Sequence, residues 1–405
     1  RPDDHVARLD LAQIELNEDT TGKNRQLRQD VLALSRVPEL RVRSLEMWLK
    51  DALARKDQVQ ALETANQLRH TPSLSGEQRV LVLAGLAEGK AADADAYRRE
   101  LETAFTTDAH GAVALANYFR TSGLHIEARK WFDSLPEDVH SNPTMLEAMA
   151  AAYLEWGEWA RLDQTLSVAQ WKQREFMRHA FSSYSARKNG RLADAGTAWR
   201  LAVVQAGDSV KSTSELLSLV GRWGWQSEQY DLVWKLFALM PRNEEISRQL
   251  LVWERSQGHT ANLNRIFARL AEFSGDDPMI RNNFAYSSLL LDANLSKAYE
   301  FARQNYEAEP QNPFYVTTQA FALYKQNKPA DALALLETLR PAALSVPERV
   351  MFRAVFRAAS GDAAGAADLL TGLKATGFLP EERRLITRAA ADIARVQGQK
   401  SQDQL

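Results

Sequence analysis

The chain has 405 residues, 45% of them hydrophobic and 25% charged, a folded composition long enough for two or three ordinary domains or one continuous repeat array. Fifty Lys plus Arg against 52 Asp plus Glu leave a formal net charge of −2, so broad attraction to nucleic acid or anionic lipid is not expected. The absence of cysteine excludes disulfides, cysteine-ligated zinc, iron–sulfur clusters and thiol nucleophiles.

In chain order, residues 1–107 carry helical periodicity but weak repeat signatures, the unit at about 4–36 being the least regular. The longest apolar run there, Val80 to Ala87, is too short to span a membrane. Residues 108–206 repeat clearly. Leu115, Ala116, Phe119, Gly123, Ala128, Phe132 and Leu135 recur 34 residues later as Met149, Ala150, Tyr153, Gly157, Leu162, Leu166 and Ala169. A further 33 residues gives Ser182, Ser183, Ala186, Gly190, Ala195, Trp199 and Ala202. Residues 207–275 are irregular. The unit around Gly221, Val233, Phe237 and Met240 lies 38 residues after its predecessor, and the unit of Trp253 and Phe267 lacks a clear small residue in its second helix. Residues 276–376 repeat clearly again, with Ala298, Ala332 and Ala366 spaced by 34. A final helix near 380–397 is expected to act as a cap.

This period predicts pairs of amphipathic helices, about ten or eleven in all, stacked as an all-α, right-handed superhelix (solenoid) over 1–405. No linker divides the chain, although a bend is expected near 205–245. Small residues in the first helices (Ala116, Ala150, Ala320, Ala354) and second helices (Ala128, Ala195, Ala332, Ala366) let paired helices approach closely. Gly123, Gly157, Gly190, Gly258 and Gly361 fall where first helices should end, and Pro143, Pro278, Pro313 and Pro347 where they should begin. Period-two β-branched alternation is nearly absent, so strands are not expected.

The segments Asn283-Phe284-Ala285-Tyr286 through Pro310-Gln311-Asn312-Pro313, and Ala320-Phe321-Ala322-Leu323-Tyr324 through Ala332 and Leu336, resemble the tetratricopeptide family. The resemblance implies a protein-binding scaffold whose first helices line a concave groove. Some members grip a chaperone's C-terminal carboxylate through paired Lys and Asn. The corresponding positions in this chain are Asn282, Thr317 and Thr318, with no matching lysine, which argues against that role.

Catalytic or cofactor constellations are not found in the sequence. The seven histidines show no i, i+4 pairing, so no metal site is expected. Gly85 to Lys90 is one residue too short for a phosphate loop, and no Gly-x-Ser-x-Gly elbow occurs. Asn294-Leu295-Ser296 is a glycosylation sequon by letter only. Trp131, Trp199 and Trp234, with Phe119 and Tyr153, are expected to be core.

In the family, the residue after the small one in each first helix faces the groove. Carrying that position over gives Tyr184, Arg222, Trp253, Tyr286 and Phe321, and one turn on come Arg187, Trp225 and Tyr324. Aligned, these would form a stripe of aromatic and guanidinium groups, the residue types that dominate binding energy. The competing expectation is burial between neighbouring first helices.

The sequence therefore reads as a non-enzymatic scaffold that binds a partner peptide or helix, with no cofactor, metal, nucleic acid or membrane insertion. The alternative is a structural scaffold of a bacterial envelope or exopolysaccharide-export system that uses its convex face or its ends. A start at Arg1 is compatible with a removed signal or anchor, which would make the protein periplasmic or membrane-tethered; otherwise it would be cytoplasmic.

Overall fold

The computed structural model describes residues 5–19, 24–168, 171–274, 276–374 and 376–402; Ala169 of the repeat pattern lies outside them. Among the described residues there are 25 α-helices and no strand. The chain divides into two compact units, Arg1–Gly207 and Asp208–Leu405.

The first unit contains six helix pairs. They are α1 (His5–Glu18) with α2 (Arg25–Leu34), α3 (Arg41–Ala54) with α4 (Gln58–Arg69), and α5 (Gly76–Glu88) with α6 (Ala94–Ala104). Next come α7 (Ala109–Ser122) with α8 (His125–Ser134), then the one-turn helix α9 (Glu137–His140). The last two pairs are α10 (Pro143–Trp156) with α11 (Trp159–Ser167) and α12 (Glu175–Lys188) with α13 (Leu192–Ala206). First helices also pack on first helices, α3 on α5, α5 on α7, α7 on α10 and α10 on α12.

Five pairs form the second unit. These are α14 (Val210–Trp223) with α15 (Gln226–Leu239), α16 (Glu244–Gln257) with α17 (Thr260–Phe273), and α18 (Pro278–Leu291) with α19 (Leu295–Ala308). They continue as α20 (Pro313–Lys325) with α21 (Pro329–Leu336), a one-turn α22 (Pro341–Leu344), and α23 (Pro347–Ala359) with α24 (Ala363–Thr371). The closing helix α25 (Pro380–Gln402) packs on α23 and α24. Among the described residues, six pairs in the first unit and five in the second, with a closing helix, match the expected ten or eleven pairs.

Local chemistry explains the boundaries. The four predicted prolines open α10, α18, α20 and α23, where a missing N–H leaves nothing unsatisfied. Asn142, Asp277 and Asn312 cap the first three of these by accepting from backbone N–H groups of the first turn. Gly123 and Gly157 end α7 and α10 in the left-handed region, at φ 76° and 70°. The small residues Ala116, Ala128, Ala150, Ala320, Ala332, Ala354 and Ala366 are fully buried at helix crossings. Gly85, in the stretch too short for a phosphate loop, serves the same purpose. A Cβ there would lie 2.7 Å from Ala65 Cβ and 2.8 Å from Leu49 Cδ1.

The irregular stretch proves regular at one position. Helix α14 ends at Gly224 (φ 71°), and Gly190, Gly224 and Gly258 follow one another at intervals of 34. In α17, Leu263 occupies the place of the missing small residue. The buried Asn264 beside it donates to Ser287 Oγ at 3.0 Å and Ser288 Oγ at 2.7 Å on α18, so a hydrogen-bonded contact stands where apolar packing is thinner.

Candidate functional site

The groove residues read from the sequence fall into separate groups. On α12, Tyr184 and Arg187 are half-buried, and the Lys188 ammonium stands 5.5 Å from the Tyr184 ring centroid. Two others are shifted in register by the caps at Gly224 and Gly258. Counting back from each glycine cap puts Ser218 and Val252, not Arg222 and Trp253, at the position equivalent to Tyr184. Arg222 is exposed in the last turn of α14. Trp225 is the N-cap residue of α15, buried with its ring 4.8 Å from that of Trp223, so it is not a groove residue.

Trp253 is 42% exposed on α16 and leans on Tyr230 of α15, ring centroids 5.9 Å apart, over a shallow hollow shared with Val233 and Leu250. Beneath it the fully buried Glu254 accepts hydrogen bonds from Tyr230 Oη (2.6 Å), Trp234 Nε1 (3.1 Å) and Asn262 Nδ2 (3.0 Å), and contacts His259 Nδ1 at 2.8 Å. Burial alone would push this carboxyl up, but Tyr230, Asn262, His259 and Trp234 together hold it below the usual carboxylate range. Glu254 is thus a rigid pedestal that fixes the rings of Tyr230 and Trp234.

Tyr286, Phe321 and Tyr324 do come together, but under cover. Tyr286 (α18) stands 6.0 Å from Phe321 (α20), and Phe321 4.8 Å from Phe352 (α23). Tyr324 lies 5.3 Å from Phe356, which stacks 5.5 Å from Phe352. Five rings from three successive first helices therefore make one floor. Phe321 is completely buried, so its expected exposure to a groove is corrected: the curvature of the first helices packs it between its neighbours.

Helix α25 belongs to the same apolar cluster as this floor through Leu385, Ile386, Ala389, Ile393 and Val396. It does more than cap the last pair, because its first turn reaches back to α16, α17 and α18. Glu382 accepts a hydrogen bond from Tyr286 Oη, and Glu381 accepts one from Thr260 Oγ1. A Cβ on Gly258 would meet the Pro380 ring at 3.2 Å. Glu382 Oε2 also accepts from Leu379 N at 2.6 Å, the N3 glutamate reaching back to the N-cap amide. Further along α25, Arg388 and Asp392 act electrostatically on Tyr324.

Glu348, at the start of α23, faces the same point. Burial, then the Glu382 charge, push its carboxyl up, against the pull of Tyr286, Arg349 and Arg255. Burial and the two carboxylates push the Tyr286 hydroxyl well above its ordinary value. Both acids escape sequence reasoning, although Leu379-Pro380-Glu381-Glu382 carries the signature of a helix N-terminus with a reciprocal glutamate.

The positions that would form a carboxylate clamp, Asn282, Thr317 and Thr318, are all buried, and Thr317 accepts from Arg349 Nε at 3.0 Å. Trp131, Trp199, Phe119 and Tyr153 are core, as the repeat predicts, whereas Trp234 is half-buried. In the first unit, a hollow beside α3 is lined by Arg43, Glu46, Lys50, Asp51 and Arg55. Lys50 pairs with Glu46 at 2.6 Å and Arg55 with Asp51 at 2.9 Å, so those charges are already matched. Among the described residues, no cluster of metal-binding side chains forms, and no helix is long and apolar enough to cross a membrane.

No protein-family model matches the chain, and no curated protein matches it. Among solved structures it is similar to that of Naa15/Naa10 bound to HypK-THB, at 13% identity and a TM-score of 0.32, covering 94% of this chain and 66% of that one. It is also similar to yeast Tom70, at 12% identity and a TM-score of 0.28, covering 97% and 90%. The P58(IPK) TPR domain is similar at 11% identity and a TM-score of 0.20, covering 88% and 99%. The chain thus spans about two thirds of the first of these. Its helical-repeat character rests on its own packed pairs and their 34-residue period.

Proposed function

We propose that the protein is a non-catalytic scaffold that binds a peptide or helix of a protein partner on its first-helix faces. The observation that carries this reading is the seating of an amphipathic helix, α25, on the aromatic floor of the second unit, since a surface that holds one helix has the chemistry to hold another. Tyr184 and Arg187 in the first unit, and Arg222 and Trp253 in the second, are accessible members of the same inventory, and Tyr, Trp and Arg are the side chains most often found at binding hot spots. A structural role through the second-helix side is the other reading, favoured by Leu201 and Val204 on α13, which are 41% and 70% exposed.

A photo-crosslinking residue placed at 184, 253, 201 or 204 of the full chain in its source cells separates the two. Protein adducts from 184 and 253 support the first-helix reading. Adducts from 201 and 204 alone would overturn it in favour of an assembly scaffold.

A further inference from the structure

The structure assigns to α25 the role of an exchangeable occupant: we propose that a partner's amphipathic helix of the same build, with an acidic first turn followed by an aliphatic stripe, displaces it from the floor of Tyr286, Phe321, Tyr324, Phe352 and Phe356. This deepens the scaffold reading and rests on it.

Three observations carry the proposal. First, the seated helix is a template for its replacement. Glu382, Leu385, Ile386, Ala389, Ile393 and Val396 follow the i, i+3, i+4, i+7 spacing of a single stripe, while Arg383, Arg384, Thr387, Arg388 and Arg395 on the other sides are exposed. Second, α25 is held more lightly than α23, one of the two helices it packs on. Of its stripe only Glu382, Ala389 and Ile393 are buried, whereas α23 buries Met351, Phe352, Ala354, Val355, Phe356 and Ala358. Third, its first turn is fixed by polar contacts that bring two acids together. Glu382 is 1% exposed, and Glu348 faces it across the Tyr286 hydroxyl. Bringing the buried Glu382 carboxyl beside the half-buried Glu348 opposes docking and offsets part of what the hydrogen bonds of the latch contribute. A competing helix needs to match that geometry, and its own acidic first turn supplies the acceptors for Tyr286 and Thr260.

The tether fixes the arithmetic. A helix attached by a short connector sees its site at an effective concentration on the order of millimolar, so a free helix of equal intrinsic affinity is outcompeted until the latch is loosened. The probe is a fluorophore-labelled synthetic peptide of residues 379–396, titrated against the full chain and followed by anisotropy. The full chain carrying Glu382→Ala and Ile393→Glu should bind it at least about tenfold more tightly than wild type does. The same peptide with Ile386→Glu and Ile393→Glu should fail to bind.

If the double variant keeps its far-ultraviolet circular dichroism and still ignores the peptide, or if wild type and variant bind equally, the proposal is overturned. A second arm avoids any risk to folding. A protease site between Gly372 and Phe378 lets the chain fold whole before the tether is cut. The cut chain should take up labelled peptide and release α25; retention of α25 through gel filtration with no uptake contradicts exchange. A wild-type dimer that swaps α25 between copies would replace the foreign helix with a second copy and overturn the assignment of partner. None of these outcomes bears on crosslinks from positions 184 and 253, so failure of exchange is distinguishable from failure of the scaffold reading.

Discussion

The aromatic residues of α7–α11 in the first unit and of α18–α23 in the second are placed by the same repeat, yet they are used differently. In the first unit, first-helix rings lock against second-helix rings and near neighbours. Phe119 lies 5.7 Å from Trp131, and Phe132 meets Tyr153 edge-on at 5.8 Å. Trp131 and Trp156 are further fixed by donating to the backbone carbonyls of Glu102 and Arg120. In the second unit, first-helix rings pack at a tilt on first-helix rings, Tyr286 to Phe321 to Phe352, beside the Phe284–Phe301 pair of α18 and α19, and α25 shares their cluster. Repeat position alone therefore decides that a ring is large and inward. What it packs against depends on the neighbouring helices.

The largest effects should come from hollowing these two cores. Phe132→Ala in the first unit and Phe352→Ala in the second should each lower stability by roughly 3–5 kcal/mol in denaturant titrations. Only Phe352→Ala should also release α25, detected as new protease cleavage after Arg383 or Arg384. Release by both, or by neither, would break the comparison.

Overpacking should come next. Ala332→Leu or Ala366→Leu, at fully buried crossings, should cost about 1–3 kcal/mol; an unchanged melting midpoint would contradict the repeat register that puts both alanines at crossings. Glu254→Ala should cost a similar amount, roughly 1–3 kcal/mol, because it strands the donors of Tyr230, Trp234 and Asn262.

The two acidic sites should respond oppositely to pH. Glu254 is held below its ordinary range, so its contribution is present above the unfolded carboxyl pKa and is lost as pH falls through the folded one. Glu348 is raised, so its contribution is present below the unfolded carboxyl pKa and is lost as pH rises through the folded one. Stability curves of Glu254→Gln and Glu348→Gln against pH should each lose one of these slopes. The smallest effect is expected at Trp253→Ala. There stability should change by no more than about 0.5–1 kcal/mol while binding of the protein partner to the full chain weakens.

Much of the fold is legible in the sequence because helix pairing leaves local marks. The 34-residue period, the buried alanines, the prolines at helix starts and Gly123 or Gly157 at helix ends all follow from backbone and packing rules that act within one repeat. The binding surface is less legible. Trp225 reads as a groove residue because Gly221 is taken for the small residue of its first helix, four positions after Leu217, where the cap at Gly224 puts it, so that Trp225 falls beyond the helix end. Phe321 falls in the right layer, but it is packed between Tyr286 and Phe352 of the neighbouring first helices, a contact that its own repeat does not reveal. Periodicity shows that α25 has an apolar stripe without showing which surface receives it. Glu254, Glu348 and Glu382 resemble ordinary solvated carboxylates, since nothing within their own helices reveals the tyrosine that each of them meets.

Hydrogen exchange on the full chain tests the central claim most directly, because it compares α25 with the floor beneath it under native conditions. Amides of α25 are predicted to exchange by opening of that helix alone, at least about a hundredfold faster than those of α23 and with a weaker denaturant dependence than global unfolding. Exchange of α25 and α23 together, only through global unfolding, would make α25 an integral part of the core and contradict the claim that it occupies a binding surface.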